Sequence, residues 1–169
     1  MVAVRYGLPL GIFLLGIALL IVDSGGKTGW EGFFMAAGAA LDLEGKERFQ
    51  LLRRELGVSA FGINLLRFRR GQRSRIHMHE RQEEVYVVLA GTLTLAIEGE
   101  ERELRRHSAA RIAPGIRRRL ANRGREPLVV LALGGAQPHE GRDGLAWEDW
   151  DDSEGRPPMD VPLPPDLEL

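Results

Sequence analysis

The sequence predicts an all-β sandwich or barrel set between an N-terminal membrane helix and an acidic, proline-rich tail. Residues 6–22 (YGLPLGIFLLGIALLIV) carry no charge. From Val58 onward the apolar residues recur with period two, in short segments broken by Gly, Pro, Asn and charged turns. The last 13 residues hold five of the nine prolines and little to bury. With 169 residues the chain has room for one modest domain and an appendage. The boundaries that follow are 1–43 for the hydrophobic segment, 44–57 for a connector, 58–146 for the barrel and 147–169 for the tail.

The run Tyr6–Val22 is 17 residues long, at the lower edge of what crosses about 30 Å of hydrocarbon at about 1.5 Å per residue. Pro9 near its start loses little by lacking an N–H, and Arg5 can reach the headgroups. A secretory signal fits less well, because no small-x-small site follows promptly after Val22. The second apolar stretch, Trp30–Leu43, carries Glu31 and Asp42 and is too short to span alone. The expectation is a membrane-anchored protein whose side of the membrane is open, with a cytoplasmic protein as the alternative.

Residues 44–56 read equally as a short helix or a strand. The segments VSAFGINLLRF, EEVYVVLA, TLTLAIE, EREL, AARIA, IRRRLAN and PLVVLALG then follow as strands. Glu98-Gly99-Glu100 forms a hairpin tip. Leu93, Leu95 and Ile97 alternate with Thr92 and Thr94, which predicts a strand with one wet face, whereas Val85–Leu89 is apolar on both faces and belongs deep in the fold. The tail reads as disordered or extended.

Composition excludes several chemistries. The chain has 44% hydrophobic and 28% charged residues, as a globular protein does. It has no cysteine, so disulfides, thiolate nucleophiles and thiolate-held metals are excluded. Any metal must sit on His, Asp or Glu. The net charge of −1 hides a segregation: residues 44–126 hold 19 Lys+Arg against 11 Asp+Glu, and residues 147–169 hold eight acids against Arg156. The arginines recur along strands without interleaved aromatics and face an acidic tail, so no nucleic-acid partner is expected. There is no P-loop, GxSxG or dinucleotide fingerprint.

The chemistry lies in Gly71, His77, His79, Glu84 and Gly91, a G-x5-H-x-H-x4-E-x6-G pattern. Residues two apart on a strand share a face, so His77 and His79 converge while Glu84 arrives on the next strand. Two imidazoles and a carboxylate suit divalent iron, manganese, nickel or zinc and leave positions open. The pattern resembles the first motif of the cupin superfamily at all five positions, which implies a jelly-roll or double-stranded β-helix barrel. The resemblance extends to small, single-domain bacterial cupin proteins through residues 53–64 and 82–91, and it implies a homodimer.

The second cupin motif is matched only in part by HSAARIAPGIRRRLAN. Gly115 and Asn122 are in place, Pro114 is one residue late, His107 stands at the first glycine, and Arg118 stands where the family places its fourth metal-binding histidine. Arg118 shares a face with Ile116 and Leu120, so it points inward and needs an anionic partner. A unit charge pair at about 4 Å is worth roughly 4 kcal/mol at an effective dielectric near 20, and a divalent ion facing Arg118 would meet about twice that in repulsion. Two arrangements remain open: Arg118 pairs with Glu84 in place of a metal, or a cation stays on His77, His79 and Glu84 while Arg118 faces a substrate anion.

The leading expectation is a barrel that binds a small anionic molecule, with Arg118 as charge clamp and Tyr86, His77, His79 and Glu84 lining the site. One alternative is a mononuclear metal enzyme, an oxygenase or isomerase. Another is a structural module whose cavity is sealed by Arg118 and Glu84. Glu83 reads as an outward partner for an arginine, and Trp147 and Trp150 as a cap on the barrel mouth or a pin for the terminus.

Overall fold

The computed structural model describes residues 38–135 and 143–169. The expected membrane helix at 6–22 and most of the second apolar stretch lie outside these residues. Among the described residues no helix is long and apolar enough to cross a membrane.

The connector that reads as helix or strand supplies both, β1 (Phe49–Gln50) and α1 (Leu52–Glu55). Then come β2 (Gly62–Phe68), β3 (Ile76–His79), β4 (Glu83–Ala90), β5 (Thr92–Ile97), β6 (Glu100–Arg105), β7 (Ala109–Ile112), β8 (Arg118–Ala121), β9 (Leu128–Gly135) and β10 (Gly144–Trp147), with a 3-10 turn at Pro158–Asp160. The strands form two five-stranded antiparallel sheets, β1-β2-β9-β4-β7 and β10-β3-β8-β5-β6. This is a jelly-roll sandwich. Phe68, Tyr86, Val88, Leu93, Leu120 and Val130 are among the residues that close its core, because period-two strands deliver every second side chain inward.

The hairpin tip lies where the sequence places it. Glu98 and Gly99 both have positive φ, +47° and +91°, the backbone of a primed two-residue turn. Glu98 holds that conformation while its carboxylate accepts from Arg117 N (2.7 Å) and Arg117 Nε (3.2 Å). The wet face expected on β5 is absent, since Thr94 and Ala96 are as buried as Leu93 and Leu95. Ala96 is in register with Arg119 of β8, and Arg119 is itself covered by Trp150 at 5.5 Å. Long side chains on neighbouring strands thus shelter small ones on this face.

Gly71 and Gly91 are needed where they stand. At φ +82° and +72° an L side chain is strained. A Cβ on Gly71 would also lie 2.9 Å from Leu167 O, and one on Gly91 would lie 2.6 Å from Pro127 O. Asn122 is fully buried and ties two loops, donating Nδ2–H to Phe68 O (2.9 Å) and Glu126 O (2.8 Å) and accepting from Gly124 N (3.0 Å).

The tail departs from the expectation of disorder. Arg156 and Ala146 exchange backbone hydrogen bonds of 2.9 and 2.8 Å, and Leu167 N donates to Gly71 O at 2.8 Å. Arg73 Nε donates to Pro165 O at 3.0 Å, Arg75 Nε donates to Val161 O, and Val161 is 1% exposed. Composition misses this because the attachment runs through backbone groups, which an acidic, proline-rich segment has like any other. Trp147 and Trp150 hold the start of the tail from outside the barrel, stacked with Arg117 at 5.6 and 5.8 Å.

Candidate metal and ligand site

The two sheets meet at a cluster made from both. One sheet contributes His77 and His79 from β3 and Arg118 from β8, with His77 directly opposite Arg118 in register. The other contributes Glu84 and Tyr86 from β4. All five residues expected at the site are therefore brought together, and one donor atom each from His77, His79 and Glu84 lies within 4.8 Å of the others. The His77 and His79 rings stand nearly perpendicular, at 87°.

Both imidazoles are held by their Nδ1 atoms. His77 Nδ1 lies 3.0 Å from Arg75 O, so it carries the proton and donates. His79 Nδ1 lies 2.8 Å from Asp143 Oδ1 and donates in the same way. Asp143 is buried and wholly committed as an acceptor, taking hydrogen bonds from Arg81 N (3.1 Å), Gln82 N (2.9 Å) and Gln82 Nε2 besides His79. Burial opposes its charge, but these donors hold its carboxyl below the usual range. Asp143 escaped the sequence reading: it lies 64 residues from His79 and reaches it only because β10 pairs with β3. The one sequence signal was an Asp-Gly step at the entry to the apolar segment GLAW.

With Nδ1–H anchored on each ring, each Nε2 presents a lone pair to Glu84. His79 Nε2 is 3.4 Å from Glu84 Oε1, and His77 Nε2 is 3.9 Å from Glu84 Oε2. Lone pairs facing one another require a positive species between them, either a proton on an imidazole or a cation bound by all three. Burial and the Arg118 charge push His77 down to about 4. Burial also disfavours the charged form of His79, yet its bonds to Glu84 and Asp143 raise it above the ordinary histidine value. Glu84 is held well below the carboxylate range: burial works against it, and the His79 hydrogen bond and the Arg118 charge overcome that.

Arg118, expected as the ligand clamp, spends most of its donors on the protein itself. It is 1% exposed, and its fork is occupied: Nη2 donates to Glu84 Oε2, Nε to Tyr86 Oη (3.3 Å), and Nη1 to His77 O (3.4 Å) and Ile116 O (3.3 Å). Tyr86 Oη also donates to Glu84 Oε2. Four of its five N–H donors are thus taken by the protein, and one Nη2 hydrogen remains on a side chain turned away from solvent. Arg118 grips Oε2 and leaves Oε1 beside His79. Glu83 turns outward and pairs with Arg111.

Beside the cluster lies a cavity of about 240 Å³, lined by His77, His79, Glu84 and Tyr86 and also by Arg48, Phe49, Asn64, Phe68, Arg75, Pro158 and Leu163. The donor set fits a divalent cation: two imidazoles of fixed tautomer, one carboxylate oxygen and an open side.

Residues 64–134 match the family model of the cupin domain. No protein of curated function matches the chain. A cupin protein from Bacteroides fragilis is similar at 22% identity and a TM-score of 0.54, over 63% of this chain and 90% of that one. A sugar phosphate isomerase from the cupin superfamily, from Silicibacter pomeroyi, is similar at 25% identity and 0.53, over 60% and 65%. A putative sugar phosphate isomerase from Acidithiobacillus ferrooxidans is similar at 21% and 0.52, over 68% and 78%. The barrel has the cupin fold.

Proposed function

We propose that this cupin barrel holds a divalent cation on His77, His79 and Glu84 and offers it to a small molecule in the adjoining cavity. The observation that carries the reading is the convergence of two imidazole lone pairs on one carboxylate, with both rings fixed from behind by Arg75 O and Asp143. A bound cation would polarise a coordinated oxygen of the ligand as a Lewis acid. The chain's own residues fix the rest. Asp143 orients His79, Arg118 and Tyr86 hold Glu84 Oε2 so that Oε1 is presented, and Phe68 and Leu120 wall the cavity with apolar surface.

Isomerisation by proton transfer is the activity to assay first, since the similar Silicibacter pomeroyi protein is described as a sugar phosphate isomerase and a cation beside a carboxylate suits enolisation next to a carbonyl. The test is a Co²⁺ titration of the metal-stripped full-length chain followed by absorption spectroscopy, with turnover of a sugar phosphate panel measured before and after loading. A saturable spectrum that His77→Ala abolishes, with turnover only in the loaded protein, is the expected result. Co²⁺ binding without turnover would leave a binding protein. Absence of saturable binding would remove the metal reading.

A further inference from the structure

Two arginines on the cavity wall stand apart from the cluster already described. Arg48, beside β1, and Arg75, ahead of β3, line the same cavity as His77 and Glu84. Each uses one nitrogen on a backbone carbonyl, Arg48 Nη2 on Arg73 O and Arg75 Nε on Val161 O. Neither takes part in an ion pair among the described residues, whereas Glu83, Glu84, Glu98, Glu101 and Glu148 each have a partner arginine. Arg48 Nε is buried with no hydrogen-bond partner.

A buried N–H of a guanidinium left unbonded costs free energy, and two like charges lining one small space repel. Burial lowers the basicity of Arg48, Asp166 of the tail raises it, and the Arg75 charge lowers it by less than Asp166 raises it. Phe68 lies under the Arg48 guanidinium at 4.8 Å, which fixes the plane of the fork. A fixed fork, a second guanidinium nearby and no carboxylate within ion-pair distance of either, Asp166 acting on Arg48 only from further off, make a place for an oxyanion.

We propose that Arg48 and Arg75 form an oxyanion subsite, so that the cavity selects small molecules carrying a carboxylate or phosphate in addition to the group that meets His77, His79 and Glu84. The proposal deepens the metal-site reading and moves the anion grip expected of Arg118 to a pair that has donors to give. The volume of about 240 Å³ falls below the roughly 300–1,000 Å³ of drug-sized pockets, which limits the occupant to a small metabolite. The tail closes one side through Pro158 and Leu163, and its Val161 carbonyl already occupies Arg75 Nε.

The subsite is tested without metal, so that its outcome is separable from that of the cation site. Full-length chain stripped on a chelating resin is titrated calorimetrically at low ionic strength with inorganic phosphate and, separately, with acetate. Binding of either probe is expected, weakened about tenfold or more in Arg48→Gln and in Arg75→Gln and unchanged in Arg111→Gln, which pairs with Glu83 elsewhere. The probe that binds identifies the phosphate or carboxylate class. In the unaltered chain, phosphate should also slow phenylglyoxal modification of Arg48 and Arg75, mapped by mass spectrometry, and leave Arg105 unaffected; this readout survives a variant that fails to fold. Equal affinity in the Arg48 and Arg75 variants, or the absence of both heat and protection, would overturn the proposal, whatever the cation titration gives.

Discussion

Arg118 meets Glu84 where neither can retreat to water: the arginine side chain is 1% exposed and the carboxylate 15%. Removing one partner of a buried pair strands the other, at a cost of about 3–5 kcal/mol. Arg118→Met should therefore lower unfolding free energy in urea by that amount, although methionine keeps much of the buried volume. A loss under about 1 kcal/mol would mean that the pair contributes nothing beyond volume. The two histidines supply a pH signature of opposite sign. His77 has its folded pKa pushed from 6.5 down to about 4, so the unfolded chain protonates first and stability falls as pH drops between these values. His79 is raised above 6.5, so its contribution is complete below 6.5 and is lost as pH rises through the folded value. In the metal-free chain at pH 6, nitrogen-detected NMR should find His79 charged and His77 neutral; the reverse assignment would contradict the site's electrostatics. A cation has to displace the His79 proton, so cation affinity should also fall as pH drops.

At the scale of elements, the site follows from two strands of one sheet facing a strand of the other. That arrangement was legible for His77, His79, Glu84 and Arg118, because period two fixes which side chains share a face. The inward direction of Arg118 could be read from Ile116 and Leu120 alone, but its partners could not, since they depend on which strand lies across the barrel. Asp143 was illegible for the same reason. It stands just before β10, and only the pairing of Gly144 with His79 brings it to the imidazole. Asp143→Asn keeps the shape but puts an amide where His79, Arg81 and Gln82 all donate. Cation affinity should fall about 10–100-fold with the circular dichroism spectrum unchanged, and an unchanged affinity would reduce Asp143 to a loop staple.

The described residues form a sandwich closed at one side by the C-terminal segment. Its acids and prolines have little to bury and read as disordered or extended, yet Val161 is as buried as the core leucines, and Arg73, Arg75 and Gly71 hold its backbone. Val161→Ala should cost about 1–3 kcal/mol and speed proteolysis after residue 156. Cleavage as slow as in the parent chain would show that the backbone contacts suffice. The charge segregation along the chain acquires a structural sense as well: the acidic tail lies over arginines of the basic barrel, with Asp166 near Arg48.

The proposed function stands on His77, His79 and Glu84 holding a cation beside the buried Arg118. It is tested most directly by elemental analysis of the full-length chain purified without added metal or chelator, beside His77→Ala. One divalent transition metal per chain, absent from the variant, is the predicted result. A chain that purifies without metal and takes up none on exposure to iron, manganese, nickel or zinc would contradict it and leave the Arg118–Glu84 pair as the resident of the site.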